Sequence, residues 1–549
     1  MKKFSGLFPE DIGNIKSANL FKFGLRELKK ISDNRNFKIC IKKQVTNKKD
    51  LLFKELKEIP EEGMNSKKVI KDIVKFFFNN VPNWRNRKNQ YNICSPTNVT
   101  SVALAGLAQE YNVHNINSDF SGDCLLAEKV ISNMMANLIG KNTSKVRGIF
   151  SFGGTASNLY AMKIALNKVF PKIGKTGIPK KVCMLITEDS HFSHRTVADW
   201  LGIGTDRLIV IKSDKEGRSI IKDAEKKFEK KIQQGNIIAG FILNGGPFYN
   251  FAVDDIKGFI KLRKKLIKKY HLGYTPHIHV DSVIGWVWLM FKDYDFQKNR
   301  LKIKKEVLSL IIKQMRRVSQ IRLADSWGVD FHKGIGGAPT PAGMFISNNA
   351  KDLILLSKKF RGICNTHHLG GYWASDDPSD ITLETSRSAA PALATLGSLL
   401  TIGKNGFRSL LAKQMESTIY LRNNVSKNTP FISANDNALG FNTMIVLAKK
   451  DIFGNKKRTF NNLKKILESD EDLLNKLNKT LKSFYEWCNQ HEPLGCSFSN
   501  SFYKTKNGNS LSGLKYCIVS PHTNKKVIRS EILKLKRKFK QYEYERRKF

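Results

Sequence analysis

Four short segments of the chain carry side chains suited to cofactor chemistry. Gly153 and Gly154 allow a tight turn before a helix-like stretch, where Thr155 is placed to cap the helix and free N–H groups make a seat for a phosphate. His191 follows the strand-like run VCMLIT, in the position where open α/β sheets bind ligands. Asp281 ends another apolar run, and a buried carboxylate needs a cation or strong donors beside it.

Lys333 is the fourth of these residues. Phe331 and small residues flank it, so the sequence predicts a desolvated lysine with a lowered pKa, whose free amine suits Schiff-base chemistry. Taken singly, each of the four segments also has an ordinary interpretation as a turn, a loop histidine, a paired acid or a surface lysine. Their order along the chain favours one shared cofactor site.

Strand-like and helix-like segments alternate from about residue 120 onwards. The strand-like runs are 182–187, 208–211 and 237–243, and the helix-like segments are 125–139, 155–169, 193–201, 219–233 and 254–270. This alternation predicts an α/β fold with a mostly parallel sheet flanked by helices. Three parts are predicted: an N-terminal helical arm (1–90), a large α/β domain (91–370) and a smaller C-terminal α+β domain (371–549) that begins with a helix at 391–402.

The composition excludes a mostly disordered chain, because 41% of the 549 residues are hydrophobic and 26% are charged. The 94 Lys and Arg against 48 Asp and Glu give a formal charge of +46, which raises nucleic acid, anionic membranes and acidic substrates as partners. The basic residues are spread from Lys2 to Lys548 and are mostly lysine. We interpret them as a solvated basic surface and expect no specific nucleic-acid partner.

The eight cysteines show no Cys-x-x-Cys pair and no clustering with histidine, so we expect neither a metal site nor a disulfide framework. No apolar run approaches the roughly 18 residues that indicate a membrane span. The sequence therefore predicts a cytoplasmic protein without a membrane partner.

Five motifs in a fixed order carry a resemblance to a known family. They are GIFSFGGTASNLYAM (148–162), EDSHFSHRTVADWLGIGTD (188–206), HVDSVIGW (279–286), DFHK (330–333) and TLETSRSAAPALATLGSLLTIGKNGF (382–407). In order, spacing and type they resemble the group II pyridoxal-phosphate-dependent amino-acid decarboxylases, the family of glutamate and aromatic amino-acid decarboxylases. The resemblance runs from about residue 90 to 415 and implies the type I fold of pyridoxal-phosphate enzymes, pyridoxal 5'-phosphate as cofactor, and a homodimer.

The resemblance also implies roles for residues around the cofactor. Lys333 would hold pyridoxal phosphate covalently and be displaced by the substrate amine. Asp281 would bond the pyridine nitrogen and keep it protonated, and His191 would stack on the ring. The phosphate would be seated by the start of the glycine-rich helix, with one histidine nearby. These phosphate residues are Gly154, Thr155, Ala156 and His332.

Four further assignments follow from the resemblance or from position. Arg387 would bind the substrate α-carboxylate, and Asn98 lies in a segment expected to line the substrate pocket, although core packing is an alternative role for it. Asn244 opens the loop 244–248 that frames the cofactor, and this loop departs from the family pattern, as does Ser282. Tyr372 is the tyrosine available between 370 and 387 as a catalytic proton donor.

The predicted activity is decarboxylation of an α-amino acid to the amine and CO2. The positive charge favours an acidic, glutamate-like substrate through steering. Two alternatives stay open: a pyridoxal-phosphate-dependent carbon–carbon lyase or oxidative deaminase, suggested by the departures at 244–248 and around Tyr372, and a catalytically decayed basic binding protein.

Overall fold

The computed structural model describes residues 7–9, 11–33, 58–78, 81–246, 249–358, 361–362 and 377–547. The chain divides into two compact units. The larger unit comprises Ile93–Ile419 and Asn435–Asn442, and the smaller unit comprises Met1–Asn92, Tyr420–Ala434 and Thr443–Phe549.

This division differs from the predicted boundary at residue 370. The helix that begins at Ala390 belongs to the larger unit as far as Ile419, because its first turns bond to other parts of that unit. Ser101 Oγ donates to Ala394 O (2.8 Å), and Ser398 Oγ donates to Gly336 O (2.5 Å). The N-terminal segment, which the sequence separated as an arm, groups with the C-terminal segment.

Thirteen helices of eight residues or more lie in the described part of the chain. They are α1 (Ile15–Asp33), α2 (Ser66–Phe77), α3 (Val99–Glu110), α4 (Leu126–Ile139), α5 (Gly154–Val169), α6 (Ser193–Trp200), α7 (Ile221–Gln233), α8 (Ile256–Lys269), α9 (Lys305–Val318), α10 (Ala390–Val425, kinked at Gly403), α11 (Phe460–Leu467), α12 (Glu471–His491) and α13 (Lys525–Arg547). Shorter helical turns lie at Ser118–Ser121, Gly122–Leu125, Thr143–Lys145, Ile173–Thr176, Thr205–Arg207, Gly285–Phe291, Ser319–Leu323, Ala350–Leu356, Pro378–Ile381 and Lys450–Phe453.

Eleven strands form two sheets in the same residues. The strands are β1 (Arg147–Ser151), β2 (Val182–Thr187), β3 (Leu208–Ile211), β4 (Ile237–Asn244), β5 (His277–Asp281), β6 (Ser326–Asp330), β7 (Gly343–Ser347), β8 (Phe431–Ser433), β9 (Asn442–Leu447), β10 (Ser497–Lys504) and β11 (Ser510–Cys517). The larger sheet has the order β1-β7-β6-β5-β4-β2-β3 and the smaller has the order β10-β11-β9-β8.

The larger sheet is mostly parallel, which confirms the predicted fold class. Strands β3, β2, β4, β5 and β6 run parallel, and β7 runs antiparallel to both β6 and β1. Every residue of β2 and β5 is buried, as expected for parallel strands covered by helices on both faces. The carboxyl ends of β2, β4, β5 and β6 consequently meet along one edge, where ligands bind in open α/β sheets.

Helix α5 packs against β4, β5, β6 and β7. This packing places the first residue of the helix, Gly154, beside the carboxyl edge of the sheet. Its apolar side chains recur at helical spacing, so that Met162 and Leu166 are fully buried against Ile186 and Ile242 of the sheet. The packing of this face holds the glycine turn at residues 153–154 in place.

The smaller unit has its own apolar core. The rings of Phe431 on β8, Phe484 on α12 and Phe539 on α13 contact one another with centroids 5.1–5.9 Å apart. Strand β10 pairs with β11, and β8 with β9, both antiparallel. This unit carries none of the site residues that the sequence predicted.

Candidate active site

The carboxyl edge of the larger sheet gathers the predicted chemical residues. Asn244 lies opposite Asp281 in the parallel register of β4 and β5. Asp330 ends the neighbouring strand β6, and Lys333 lies in the turn that follows. His191 follows β2 on the other side. The fold therefore brings together residues that lie far apart in the sequence.

Asp281 is a buried carboxylate with specific donors. Its Oδ2 accepts from His194 Nε2 and from Asn158 Nδ2, both at 3.1 Å, and its Oδ1 accepts from the Val283 N–H at 3.5 Å. Burial raises the pKa of Asp281, but the two hydrogen bonds and the positive charge of Lys333 outweigh it and hold the pKa well below its usual range. Asp281 is therefore ionised at the edge of the sheet, and the expected partners of this acid are present.

His191 belongs to the same hydrogen-bond network. Asn158 Nδ2 also donates to Ser193 Oγ (3.3 Å), and the Ser193 hydroxyl lies 2.8 Å from His191 Nδ1. Because the Ser193 N–H also donates to that nitrogen (3.2 Å), His191 Nδ1 is the acceptor nitrogen. Burial lowers the pKa of His191, although the charge of Asp281 opposes this, so the ring is neutral at neutral pH.

Lys333 is paired with Asp330, which corrects the prediction of a lowered pKa. The Lys333 Nζ lies 2.7 Å from Asp330 Oδ2, and the Asp330 side chain is fully buried. Burial does lower the pKa of Lys333, but the charges of Asp330 and Asp281 more than compensate, so its pKa is raised. The sequence indicated the desolvation and missed the acid three positions earlier that opposes it.

The backbone around Lys333 is held on both sides by a neighbouring segment. The Gly334 N–H donates to Ile93 O (2.7 Å), and the Ser95 N–H donates to His332 O (3.0 Å). Cys94 and Lys333 form the bridge between these two bonds. This backbone clamp, residues 93–95 against 332–334, fixes the main chain of the lysine.

The start of α5 has the features of a phosphate seat. Gly153 has φ 127°, in the region that favours glycine, and a Cβ at Gly154 would clash with Val283. His332 lies beside this turn, because a Cβ at Gly153 would be 3.5 Å from its Cε1 atom. Thr155 does not cap the helix as the sequence predicted, since Gly153 occupies the N-cap position and Thr155 lies in the first turn, exposed.

Ala156 and Asn244 complete the predicted cofactor residues. Ala156 is fully buried in the first turn of α5. The Asn244 backbone exchanges hydrogen bonds with Asp254, and its side-chain Nδ2 is buried without a hydrogen-bond partner among the described residues. Ser282, a departure from the family pattern, donates through Oγ to Gly245 O (3.0 Å) and so links the ends of β4 and β5. Residues 247–248 of the same loop lie outside the described residues.

The structure contradicts the predicted role of Arg387. Its guanidinium is buried and donates to Glu128 Oε1 (2.6 Å) and to the carbonyl oxygens of Phe150 (2.9 Å) and Asn115 (3.4 Å). Glu128 also accepts from Asn115 Nδ2 (2.6 Å) and the Phe150 N–H (3.3 Å). Because this charge is already neutralised inside the fold, Arg387 serves as a structural link and not as a ligand for a substrate carboxylate.

Asn98 is likewise engaged in structure. Its Oδ1 accepts from the Ser101 N–H (2.8 Å) and caps α3, and its Nδ2 donates to Ser398 Oγ (2.9 Å). Both ends of the amide are therefore used, which corrects its assignment to substrate binding and agrees with the alternative packing role. Tyr372 lies outside the described residues.

Comparison with known proteins agrees with this geometry. The family model described as the pyridoxal-dependent decarboxylase conserved domain matches residues 49–441. The chain belongs to this family. It is a pyridoxal-phosphate-dependent carboxy-lyase, and this match covers all of the residues that the structure gathers at the sheet edge.

Solved structures share the whole fold at low sequence identity. The glutamate decarboxylase domain of diaminobutyrate-pyruvate transaminase and L-2,4-diaminobutyrate decarboxylase from Vibrio parahaemolyticus has a TM-score of 0.74 at 15% identity, covering 98% of this chain and 99% of that chain. Oryza sativa TDC, solved with PLP and tryptamine, has a TM-score of 0.73 at 11% identity, covering 97% and 99%. Rhodiola rosea 4-hydroxyphenylacetaldehyde synthase has a TM-score of 0.73 at 12% identity, covering 97% and 99%.

The residues present fit pyridoxal phosphate. Asn244 Nδ2 is buried without a partner among the described residues and can donate to a ligand. Asp281 Oδ1 accepts only a 3.5 Å contact from the Val283 N–H and can accept from a ligand, and the first N–H groups of α5 suit a phosphate. Lys333 provides the amine. Within the described ranges no cluster of His, Cys, Asp or Glu suits a metal ion, and in those ranges no helix is long and apolar enough to cross a membrane.

Sequence reasoning missed three residues of this site. Asn158 lies one helical turn after Gly154, and that spacing was the signal that it shares the face of the glycine turn. His194 and Asp330 stood inside the motifs that carried the resemblance, without an assigned role. Their contacts with Asp281 and Lys333 depend on the strand order and the turn geometry, which the linear pattern does not give.

Proposed function

We propose that this chain decarboxylates an α-amino acid with an acidic, glutamate-like side chain and releases the amine and CO2. The observation that carries the proposal is the meeting of three features at one sheet edge: the amine of Lys333, the ionised carboxylate of Asp281 and the glycine turn at the start of α5. These are the groups that a pyridoxal phosphate site requires for its aldehyde, its ring nitrogen and its phosphate.

Bound pyridoxal phosphate supplies the electron sink into which the electrons of the Cα–carboxylate bond flow. Asp281 would hold a proton on the ring nitrogen through its Oδ1, and His191 would lie against the ring face as a neutral imidazole. Asp330 would hold the Lys333 amine in its protonated form. The partly buried surroundings of these groups would favour loss of the carboxylate charge.

The acidic substrate class is supported by the charge of the chain. With 94 basic and 48 acidic residues, the field around the protein steers anions toward it. Arg387 cannot supply the local cation for such a substrate, because Glu128 neutralises it. A local cation for such a substrate would have to come from another segment or from a second subunit.

We further propose a homodimer in the cytoplasm. The larger unit exposes large apolar side chains that a second copy would cover, among them Val99 and Leu107 on α3 and Leu400 on α10, each at least 60% exposed. The six described cysteines form no disulfide bond with one another, which suits a reducing compartment.

The decisive experiment is a mass-spectrometric screen of the protein, loaded with pyridoxal phosphate, against pooled amino acids, with Lys333→Ala as the matched control. We expect glutamate or aspartate to be converted to its amine by the wild-type enzyme alone. Conversion of an aromatic amino acid would retain the reaction and overturn the substrate class. Full activity in Lys333→Ala would overturn the assignment of the site.

Aldehyde, ammonia and hydrogen peroxide together with CO2, in place of the amine, would indicate a second candidate, decarboxylation coupled to oxidative deamination with dioxygen as the oxidant. The departure of loop 244–248 from the family pattern favours this candidate, because that loop frames the cofactor. Its discriminating readout is oxygen consumption matched to substrate loss. Amine formation without oxygen consumption would exclude it.

A further inference from the structure

The two oxygens of the Asp281 carboxylate are used unequally. Oδ2 accepts two hydrogen bonds at 3.1 Å, from His194 Nε2 and Asn158 Nδ2. Oδ1 has one contact at the outer limit of a hydrogen bond, from the Val283 N–H at 3.5 Å. Oδ1 is therefore the oxygen with capacity for a new donor.

His194 reaches Asp281 from a different element than Asn158 does. It is the second residue of α6, and Asn158 belongs to α5, against which α6 packs. The His194 side chain is completely buried, so its ring has no solvent to exchange bonds with. Two donors from two helices thus fix one oxygen, and rotation of the carboxylate would break both bonds.

Nothing else in the described chain explains a polar ring at this position. His194 Nδ1 has no hydrogen-bond partner among the described residues. Burying an imidazole with one nitrogen unpaired is costly, so an apolar side chain would serve packing better. The bond from Nε2 to Asp281 is the compensating interaction.

We propose that His194 is a positioning residue that holds Asp281 with Oδ1 aimed at the ring nitrogen of the cofactor. This inference rests on the proposed function, because it takes Asp281 as the partner of that nitrogen. By donating from Nε2 to Oδ2, His194 limits the carboxylate to one orientation. The consequence is a ring nitrogen that keeps its proton.

The test uses the full-length enzyme loaded with pyridoxal phosphate labelled with ¹⁵N in the ring. The nitrogen chemical shift reports whether the ring carries a proton, and the dissociation constant of the cofactor is measured by fluorescence. In His194→Leu we expect loss of the protonated signal at neutral pH and cofactor binding weaker by roughly tenfold to a hundredfold, as for a lost hydrogen bond to a charged group. In His194→Gln, whose amide N–H reaches the position of Nε2, we expect both readouts close to those of the wild type.

The matched control is His277→Leu. His277 is another fully buried histidine of the same sheet, at the opposite end of β5 from Asp281, and its Nε2 lies 2.7 Å from Ser326 Oγ. It should lower the thermal stability as His194→Leu does, without moving the ring-nitrogen signal. If His194→Leu does not fold, His194→Asn replaces it, because the shorter amide does not reach the Nε2 position.

Three results would overturn the inference. In the first, His194→Leu retains the wild-type nitrogen shift and cofactor affinity, whereas Asp281→Ala loses both. This result would support the role of Asp281 toward the cofactor and contradict the role of His194. In the second, His194→Gln behaves as His194→Leu, which would assign His194 to packing. In the third, the ring nitrogen is unprotonated in the wild type, and the proposed role of Asp281 falls with it.

Discussion

The edge of the larger sheet and the core of the smaller unit both bury ionisable groups, with opposite results. In the smaller unit, burial raises the pKa of Cys488 to about 12 and raises the pKa of Cys496, Tyr485 and Tyr516 as well. Each of these groups is thereby held in its neutral form.

At the sheet edge the same desolvation is overridden. Asp281 remains ionised because His194 and Asn158 donate to it, and Lys333 remains protonated because Asp330 lies 2.7 Å away. Burial alone therefore holds a group in its neutral form, whereas burial beside a hydrogen-bond donor or an opposite charge keeps the group charged. Three predictions test this distinction.

Removal of a buried partner should have the largest effect. Arg387→Ala leaves Glu128 buried without its counter-charge, and we expect the free energy of unfolding to fall by about 3–5 kcal/mol, as for other broken buried pairs. Chemical denaturation of the two proteins measures this loss. The control is the double variant Glu128→Gln with Arg387→Met, which removes both charges and should recover part of the stability.

The same variant tests the correction made to Arg387. If Arg387→Ala raised KM strongly while the unfolding curve stayed unchanged, the arginine would be a substrate ligand after all.

Removal of the acid beside the lysine should have an intermediate effect. Because the charge of Asp330 helps to raise the pKa of Lys333, Asp330→Asn lowers that pKa and leaves more free amine at a given pH. We expect the pH midpoint for labelling of Lys333 by pyridoxal phosphate and borohydride to move down by about one to three units. Peptide mass spectrometry across a pH series measures it.

Asp330→Glu, which keeps the charge, is the control for that experiment and should retain a midpoint near that of the wild type. A midpoint that stays in place or rises in Asp330→Asn would show that the 2.7 Å contact does not control the amine.

The smallest effect is expected in the smaller unit. Cys488 is fully buried and neutral, so Cys488→Ala should leave kcat/KM unchanged and reduce stability by about 1 kcal/mol. Steady-state kinetics and thermal unfolding check both quantities, with Cys496→Ala as a second case. A loss of activity without a loss of stability would show that the core of the smaller unit takes part in the reaction, contrary to this comparison.

The sequence predicted features that depend on neighbouring residues and missed contacts between residues far apart along the chain. The strands 182–187 and 208–211 were predicted at the bounds that the structure gives, because continuous apolar runs bounded by turns indicate buried parallel strands. Lys333 and Asp281 were located through motifs whose order is kept along the chain. The pairing of Arg387 with Glu128 and of Asp281 with His194 was not predicted, because those contacts join residues 259 and 87 positions apart.

The pKa of Lys333 was mispredicted for a related reason. Its flanking residues indicated its partial burial, but the direction of the pKa shift depends on where the carboxylate of Asp330, the last residue of β6, points. A turn geometry of this kind is set by the strand and by the clamp from residues 93–95, which are more than two hundred positions away.

That clamp determines which part of the lysine is free to travel. With the main chain of residues 332–334 bonded to residues 93–95 on both sides, motion is left to the four-carbon stem of Lys333. With its Cα fixed, the Lys333 side chain can move its Nζ away from the site and back only by rotation about its own bonds. Turnover then requires side-chain rotations of Lys333 and no rearrangement of the backbone at residues 332–334.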